Sequence, residues 1–223
     1  MSAPRKRVVV FISGGGSNML ALLKATKAAD YPAEIVGGIS DKADAGGLAK
    51  AAAEGIATFA FVRKEFASKE AHEEAMLSQL EALSPDIICL AGYMRLLSGR
   101  FIQAYEGRII NIHPSLLPLF PGLHTHQRAL DAGMRVAGCT VHFVTEGMDE
   151  GPVVGQAVVP VLNNDTADSL AARVLTIEHQ IYPQSLRLVA EGKVRMEDSK
   201  AVSLAETSAA QGRQIVSLLG DVG

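Results

Sequence analysis

The chain has little cysteine, little net charge and no long hydrophobic run, and each deficit removes a class of function. Its two cysteines, Cys89 and Cys139, provide neither a metal-ligand spacing nor a disulfide framework. Both stand in apolar, strand-like runs, where buried reduced thiols of a cytoplasmic protein are expected. Neither has a neighbouring cation to activate it as a nucleophile. The formal net charge is -3. That leaves no electrostatic footprint for DNA or RNA and no basic face for anionic lipid. No run reaches the roughly eighteen apolar residues that a membrane-spanning helix needs. The segment 1–7 is basic, but the single strand Val8–Ile12 and then glycines follow it. That is too short for the apolar region of a signal peptide. Internal repeats and low-complexity linkers are also lacking.

What remains is a chain of 223 residues, 48% of them hydrophobic, enough for one generous domain or two intimate halves. The first half alternates strand and helix. Strands are expected at 7–12, 34–40, 57–62 and 86–93, with helices at 18–27, 45–54 and 66–83 between them. The third of these helices would turn Ala71, Ala75, Met76, Leu80 and Leu83 inward. Uniformly apolar strands separated by helices imply a parallel sheet covered on both faces. The second half changes character. A strand at 108–112 and a short helix at 127–133 precede two adjacent strands, 138–144 and 153–161, which suit an antiparallel pair. Asp165 can cap a long helix to about Glu191, with Leu170, Val174, Ile177 and Ile181 as its apolar stripe. Pro183 should bend that helix. A short strand at 193–196 precedes a weakly patterned tail expected to be loosely packed beyond Ser199. The expected fold is α/β: a Rossmann-like parallel sheet flanked by helices and extended by antiparallel strands into a mixed sheet. One domain would span 1–200, in halves of about 1–105 and 106–200, with 201–223 as a tail.

Gly14-Gly15-Gly16-Ser17-Asn18 follows the first strand and opens the first helix. Glycines let backbone N–H groups approach an anion, and the helix N-terminus adds unpaired donors and partial positive charge. A phosphate is the natural guest, against the plainer reading of a tight turn. The Gly-Lys-Ser/Thr of a nucleoside-triphosphate loop is missing. The dinucleotide fingerprint fits only in part: Gly14 and Gly16 match, but Met19 stands at the third glycine position. Asp41, after the second strand, could mimic a ribose-binding acid, so a nicotinamide site stays as an alternative. A monophosphate fits the loop better.

Asn111-Ile112-His113-Pro114-Ser115-Leu116-Leu117-Pro118 carries the chemistry. Asn111 and His113 point to one face of a strand, at an end that borders the ligand crevice of an open α/β sheet. An asparagine amide and a protonated histidine can both stabilise a developing oxyanion. Pro114 and Pro118 should hold the following chain extended. Asp149, in the loop from Glu146 to Pro152, is the carboxylate that would favour the charged histidine, if the fold brings it close. His124 and His126 alternate in a loop, but a metal site there lacks a convincing third ligand. His72 and His179 read as surface residues. Glu178 borders the apolar stripe of the long helix, as a solvated edge or as a carboxylate reaching a ligand amine or hydroxyl.

Together the glycine loop, Asn111–Pro118, Gly122-Leu123-His124-Thr125 and Thr140-Val141-His142-Phe143-Val144 followed by Asp149 closely resemble the folate-dependent formyltransferase family. The resemblance runs from about 8 to 196. The N-terminal glycine loop and the short chain select the glycinamide ribonucleotide branch. That resemblance implies transfer of a formyl group from 10-formyltetrahydrofolate, a consumed cosubstrate, to the amine of glycinamide ribonucleotide in purine synthesis. Gly14 to Asn18 and Glu178 would bind the ribonucleotide. Lys69, Met94, Arg95, Leu96 and Leu97 would hold the folate. Asn111 and the segment Val144, Thr145, Glu146, Gly147, Met148 and Asp149 would form the other wall. Asn111, His113 and Asp149 match the family's catalytic residues, and no metal is required. Gly15 stands where many relatives have a polar residue, and Lys69 where some have arginine, which differs in its planar fork.

Three rivals share parts of this pattern. A methionyl-tRNA formyltransferase normally adds an RNA-binding C-terminal domain. A formyltetrahydrofolate hydrolase usually adds an N-terminal domain, for which a first strand starting near residue 7 leaves no room. A non-catalytic nucleotide-binding module leaves His113 and Asp149 unexplained. The implied partners are small molecules, with no nucleic acid and no membrane, and a monomer or homodimer in the cytoplasm.

Overall fold

The structure is a computed structural model that describes residues 4–198 and 200–203. A seven-stranded sheet in the order β3-β2-β1-β4-β5-β6-β7 forms its centre. The strands are β1 (Lys6–Ile12), β2 (Ala33–Ser40), β3 (Thr58–Ala60), β4 (Ile87–Leu90), β5 (Ile109–His113), β6 (Val136–Phe143) and β7 (Val153–Pro160). Strands β1 to β5 pair in parallel, and β5–β6 and β6–β7 are antiparallel. The mixed sheet expected from the sequence is therefore observed.

Strand β1 shows why the sheet is covered on both faces. Val8, Val10 and Ile12 enter one core cluster, and Val9 and Phe11 enter the other. Alternate residues point to opposite faces, so a strand buried on both sides must be apolar throughout. The first cluster lies under α1 (Ser17–Thr26), α2 (Gly46–Ala53) and α6 (Ala167–Ala190). The second lies under α3 (Lys69–Leu83) and α4 (Gly99–Ala104). A short helix α5 (Thr125–Asp131) precedes β6.

Several expectations need correction. Helix α3 begins at Lys69, because the Ser68 hydroxyl accepts from Ala71 N and caps it there. Its inward face is His72, Glu73, Met76 and Leu80, while Ala71 is exposed. His72 is thus buried, not a surface residue; its Nε2 meets Phe61 O at 2.8 Å, which satisfies the ring inside the core. His179 is only half-buried. Helix α6 is capped by Thr166 in a reciprocal box with Ser169, not by Asp165. Asp165 instead accepts two hydrogen bonds from the Arg173 guanidinium at 2.6 and 2.7 Å. The buried stripe of α6 runs Leu170, Val174, Glu178, Tyr182 and Leu186, and Ile177 and Ile181 flank it. Pro183 lies within α6.

The Pro114–Phe120 segment is a compact turn, not an extended run. Leu119 N donates to Leu116 O, the Ser115 hydroxyl donates to Leu119 O, and Phe120 has a φ of 55°. Thr140 holds it in place, with its hydroxyl accepting from Leu117 N and donating to Ser115 O. Helix α4 had no counterpart in the sequence reading. Strands β8 (Val194–Glu197) and β9 (Lys200–Ser203) form a separate antiparallel pair, so residues 200–203 are strand where a loose tail was expected. The rest of that tail lies outside the described residues.

Candidate active site

The parallel strands end along one edge of the sheet, and a cavity of about 580 Å³ opens beside β4 and β5. Asn18, Gly92 to Leu96, Asn111, Ile112, His113, Met148, Asp149 and Glu178 line it, with the 122–126 turn. Asn111 and His113 occupy the same parity at the end of β5, as the pattern requires. A groove of about 790 Å³ between α1 and α6 is larger, but it holds none of Asn111, His113 and Asp149.

His113 is buried, with both ring nitrogens facing acceptors. Nε2 is 3.0 Å from Phe120 O, and Nδ1 is 3.4 Å from Asp149 Oδ2. Asp149 reaches this point from the loop between β6 and β7. Its φ of 56° lies in the left-handed region, which aspartate and asparagine tolerate better than most residues. The same Oδ2 accepts from Gly122 N at 2.8 Å, so one carboxylate ties the 122 turn, its own loop and His113 together.

His142 stands opposite Asn111 in the β5–β6 register. Its Nδ1 is 2.8 Å from Phe143 O, a pure acceptor, so Nδ1 carries the proton. Burial holds the imidazole below its usual 6.5, against the pull of the Phe143 carbonyl and Asp149, and His113 adds to the lowering. The neutral ring therefore offers a lone pair at Nε2, and Asn111 Nδ2 donates to it at 3.2 Å. This fixes which end of the Asn111 amide faces the ring and leaves its second N–H available. The 3.8 Å approach of His142 Nε2 to Asp149 Oδ1 is then not an ion pair.

Across the cavity, Glu178 Oε2 accepts from Asn18 Nδ2 at 2.7 Å. Burial raises the Glu178 carboxyl above its usual 4.5, opposed by Asn18 and His113. Asn18 Oδ1 is buried and has no hydrogen-bond partner among the described residues. A carboxylate beside an orphaned carbonyl oxygen is a pair of acceptors that calls for N–H or O–H donors from a ligand. Asn18 lies in the first turn of α1, whose N-cap is Gly16 with φ 70° and which has no side-chain cap. A Cβ at Gly16 would lie 2.8 Å from Gly47 Cα, so α2 packs directly against the loop. Gly14 and Gly15 border open space.

Of the expected folate contacts, Met94, Arg95, Leu96, Met148 and Asp149 line the cavity, as does Asn111. Leu97 and Val144 pack instead against the second core cluster. Thr145, Glu146 and Gly147 are not among the lining residues, and Ser17 lines the α1–α6 groove. Lys69 pairs with Glu73 at 3.7 Å on α3 and is not a lining residue either. Cys89 and Cys139 are buried, and burial pushes both thiols up to about 12. His142 is the site residue that sequence reasoning left unassigned. Only the register of β6 on β5 reveals its partner.

Known proteins resemble this chain in sequence and fold. Residues 6–186 match the formyl transferase family. The phosphoribosylglycinamide formyltransferase of Escherichia coli is 45% identical over 194 residues, 87% of this chain and 92% of that protein. The crystal structure of phosphoribosylglycinamide formyltransferase from Brucella melitensis is 72% identical, with a TM-score of 0.81 over 83% of this chain and 96% of that one. A formyltetrahydrofolate deformylase from Pseudomonas syringae is 27% identical, with a TM-score of 0.82 over 90% of this chain and 66% of that one. The chain belongs to the formyl transferase family, in the group of the phosphoribosylglycinamide formyltransferases.

Proposed function

We propose that the chain transfers the formyl group of 10-formyltetrahydrofolate to the amine of glycinamide ribonucleotide, a step of purine synthesis. The relatives' names supply the acceptor, and the resemblance to the folate-dependent formyltransferases implies the donor. The observation that carries the reading for this chain is one cavity with His113, Asp149 and Asn111 on one side and the acceptor pair Glu178 and Asn18 on the other. The glycine loop and the uncapped start of α1 take the ribonucleotide's phosphate. Glu178 and Asn18 Oδ1 accept from its amine and hydroxyl donors. The folate lies along Met94 to Leu96 and Met148.

The amine nitrogen attacks the formyl carbon, and a tetrahedral intermediate with an anionic oxygen forms. With acceptors at both nitrogens, His113 is suited to carry both protons, and its positive charge lies beside that oxygen. The second N–H of Asn111 donates to the same oxygen. Asp149 holds the His113 charge and, through a water, accepts the proton of the attacking nitrogen. That proton passes to the folate nitrogen as its bond to the formyl carbon breaks. The products are the formylated amine and tetrahydrofolate, and no metal takes part.

The test is a formyl-transfer assay with the ribonucleotide present and absent. Tetrahydrofolate should appear only when the ribonucleotide is present. Formate release without ribonucleotide would favour the deformylase reaction of the 27%-identical structural relative instead.

A further inference from the structure

The irregular stretch from Gly92 to Ser98 forms one wall of the cavity; Tyr93 and Leu97 pack on the second core cluster, but Met94 and Leu96 have little packing to hold them. Met94 and Leu96 are each 62% exposed. Gly92 has a φ of 77°, so the chain turns sharply as it leaves β4. An exposed apolar wall on a turn needs some other restraint to keep one shape.

Polar tethers supply it at both ends. At the first, Ser13 follows β1 and Asp41 follows β2, and both are buried. The Ser13 hydroxyl donates to Asp41 Oδ1 at 2.5 Å and accepts from Met94 N at 2.9 Å. Asp41 Oδ2 accepts from Arg95 Nε at 2.7 Å. Ser13 N also donates to Gly92 O at 3.1 Å. Both oxygens of Asp41 are thus engaged inside the protein and the side chain is buried, so it is committed to this wall. At the second end, Glu73 on α3 is buried. Its carboxylate accepts from Ser98 N at 2.9 Å and from the Ser98 hydroxyl. Lys69, one turn earlier, pairs with Glu73.

We propose that Asp41 and Glu73 are positioning residues that clamp the Gly92–Ser98 wall and so set the affinity for the folate donor, resting on the reading of the cavity as a formyl-transfer site. Neither touches the reacting atoms. Lys69 then acts on the folate wall through Glu73.

The experiment is steady-state kinetics on Asp41→Asn, Glu73→Gln and Ser13→Ala, each first checked for cooperative thermal unfolding. Ser13→Ala is the mildest, since it removes only a hydroxyl. The KM for 10-formyltetrahydrofolate should rise about tenfold, or about 1.4 kcal/mol, in each carboxylate variant. The ribonucleotide KM is the internal control and should stay within roughly twofold. Direct titration with tetrahydrofolate reads the same wall without turnover and should show the same loss. Folded variants whose donor KM and tetrahydrofolate affinity match the wild type would overturn the clamp alone. So would an equal rise in both KM values. A wild type that binds no tetrahydrofolate would overturn the clamp and the functional reading together.

Discussion

Replacing Asp149 by asparagine tests the chemistry with the least disturbance to the fold. Asparagine tolerates the left-handed φ of 56° that this position adopts. Its carbonyl oxygen can still accept from Gly122 N, which Asp149 holds at 2.8 Å. What changes is the group facing His113. The oxygen that accepts from Gly122 N is also the one facing Nδ1, so an amide oxygen there leaves a neutral acceptor and removes the carboxylate charge that favours an imidazolium. The oxyanion loses a positive neighbour. The carboxylate lies 3.4 Å from Nδ1 and the pair is mostly buried, at 7% and 13% exposure. A unit charge pair at that distance is worth about 5 kcal/mol at an effective dielectric of about 20, and about 2.4 kcal/mol at about 40. The fall in kcat should therefore lie between roughly 50-fold and roughly 4,000-fold. The ribonucleotide KM should barely move, because Asp149 is across the cavity from Glu178 and Asn18. The assay is steady-state formyl transfer, with thermal unfolding of the same sample. A kcat within about fivefold of the wild type, a loss of only about 1 kcal/mol, with unchanged unfolding would refute the reasoning.

Other perturbations separate the remaining parts. In His142→Ala the Asn111 amide loses the acceptor that orients it, and kcat should fall about tenfold, the worth of one positioned hydrogen bond; His142→Gln restores an acceptor and should recover part of this, and equal rates in both variants would count against the role. Glu178→Gln should weaken ribonucleotide binding while raising the melting temperature at alkaline pH. Burial lifts the folded-state carboxyl above 4.5, so the wild type loses stability as pH rises through that folded value, and the variant does not. Its advantage should shrink as pH falls toward 4.5; a constant difference would contradict the sign. His126 and His142 are both held below 6.5 by burial. The unfolded chain then binds more protons just below 6.5, and melts should show stability falling as pH drops through that value. Gly16→Ala places a side chain at φ 70° and against Gly47. It should cost at least about 1 kcal/mol and raise the ribonucleotide KM. Gly15 faces open space, so Gly15→Ser should leave the melting temperature within about 1 °C.

The fold was legible wherever burial alone dictates residue type. Val8 to Ile12, with alternate residues in opposite clusters, could only be a central strand, and the same holds for Ile87 to Leu90. Errors arose where polar groups are buried with partners. His72 and Glu73 interrupt the apolar pattern of α3, so Ala71 is expected inward in their place, while Met76 and Leu80 are buried as expected. The partners of His72 and Glu73, Phe61 O and the Ser98 backbone, are distant in sequence or belong to an unrecognised helix start. Helix α4 is too short for periodicity to show, and its Ser98 cap precedes only one turn or two. Asp165 and Thr166 both suit an N-cap. Arg173, two turns into the helix, decides between them by engaging the aspartate.

The site divides along the same line. Asn111 and His113 share a strand, so their common face follows from a two-residue period. Glu178 was visible as a polar residue on an apolar stripe. The rest depends on the change from parallel to antiparallel pairing at β5. Strand β6 runs back along β5 and delivers His142 opposite Asn111. The following loop departs beside Ile109, where Val144 N donates to Ile109 O. It must fold back along the strand to bring Asp149 to His113. The left-handed turn at Asp149 and the bond from Gly122 N are what complete that return. No pattern in the sequence encodes this path, because its determinants are a strand register and a contact between two loops. In the proposed mechanism this one carboxylate sets the charge beside the formyl group, and it also ties the 122 turn to its own loop. Removing the Asp149 side chain altogether should therefore loosen the 122 turn as well as slow the chemistry. Hydrogen exchange at Gly122 should rise in Asp149→Ala and stay protected in Asp149→Asn. Equal exchange in the two variants would show that the carboxylate holds His113 but not the turn.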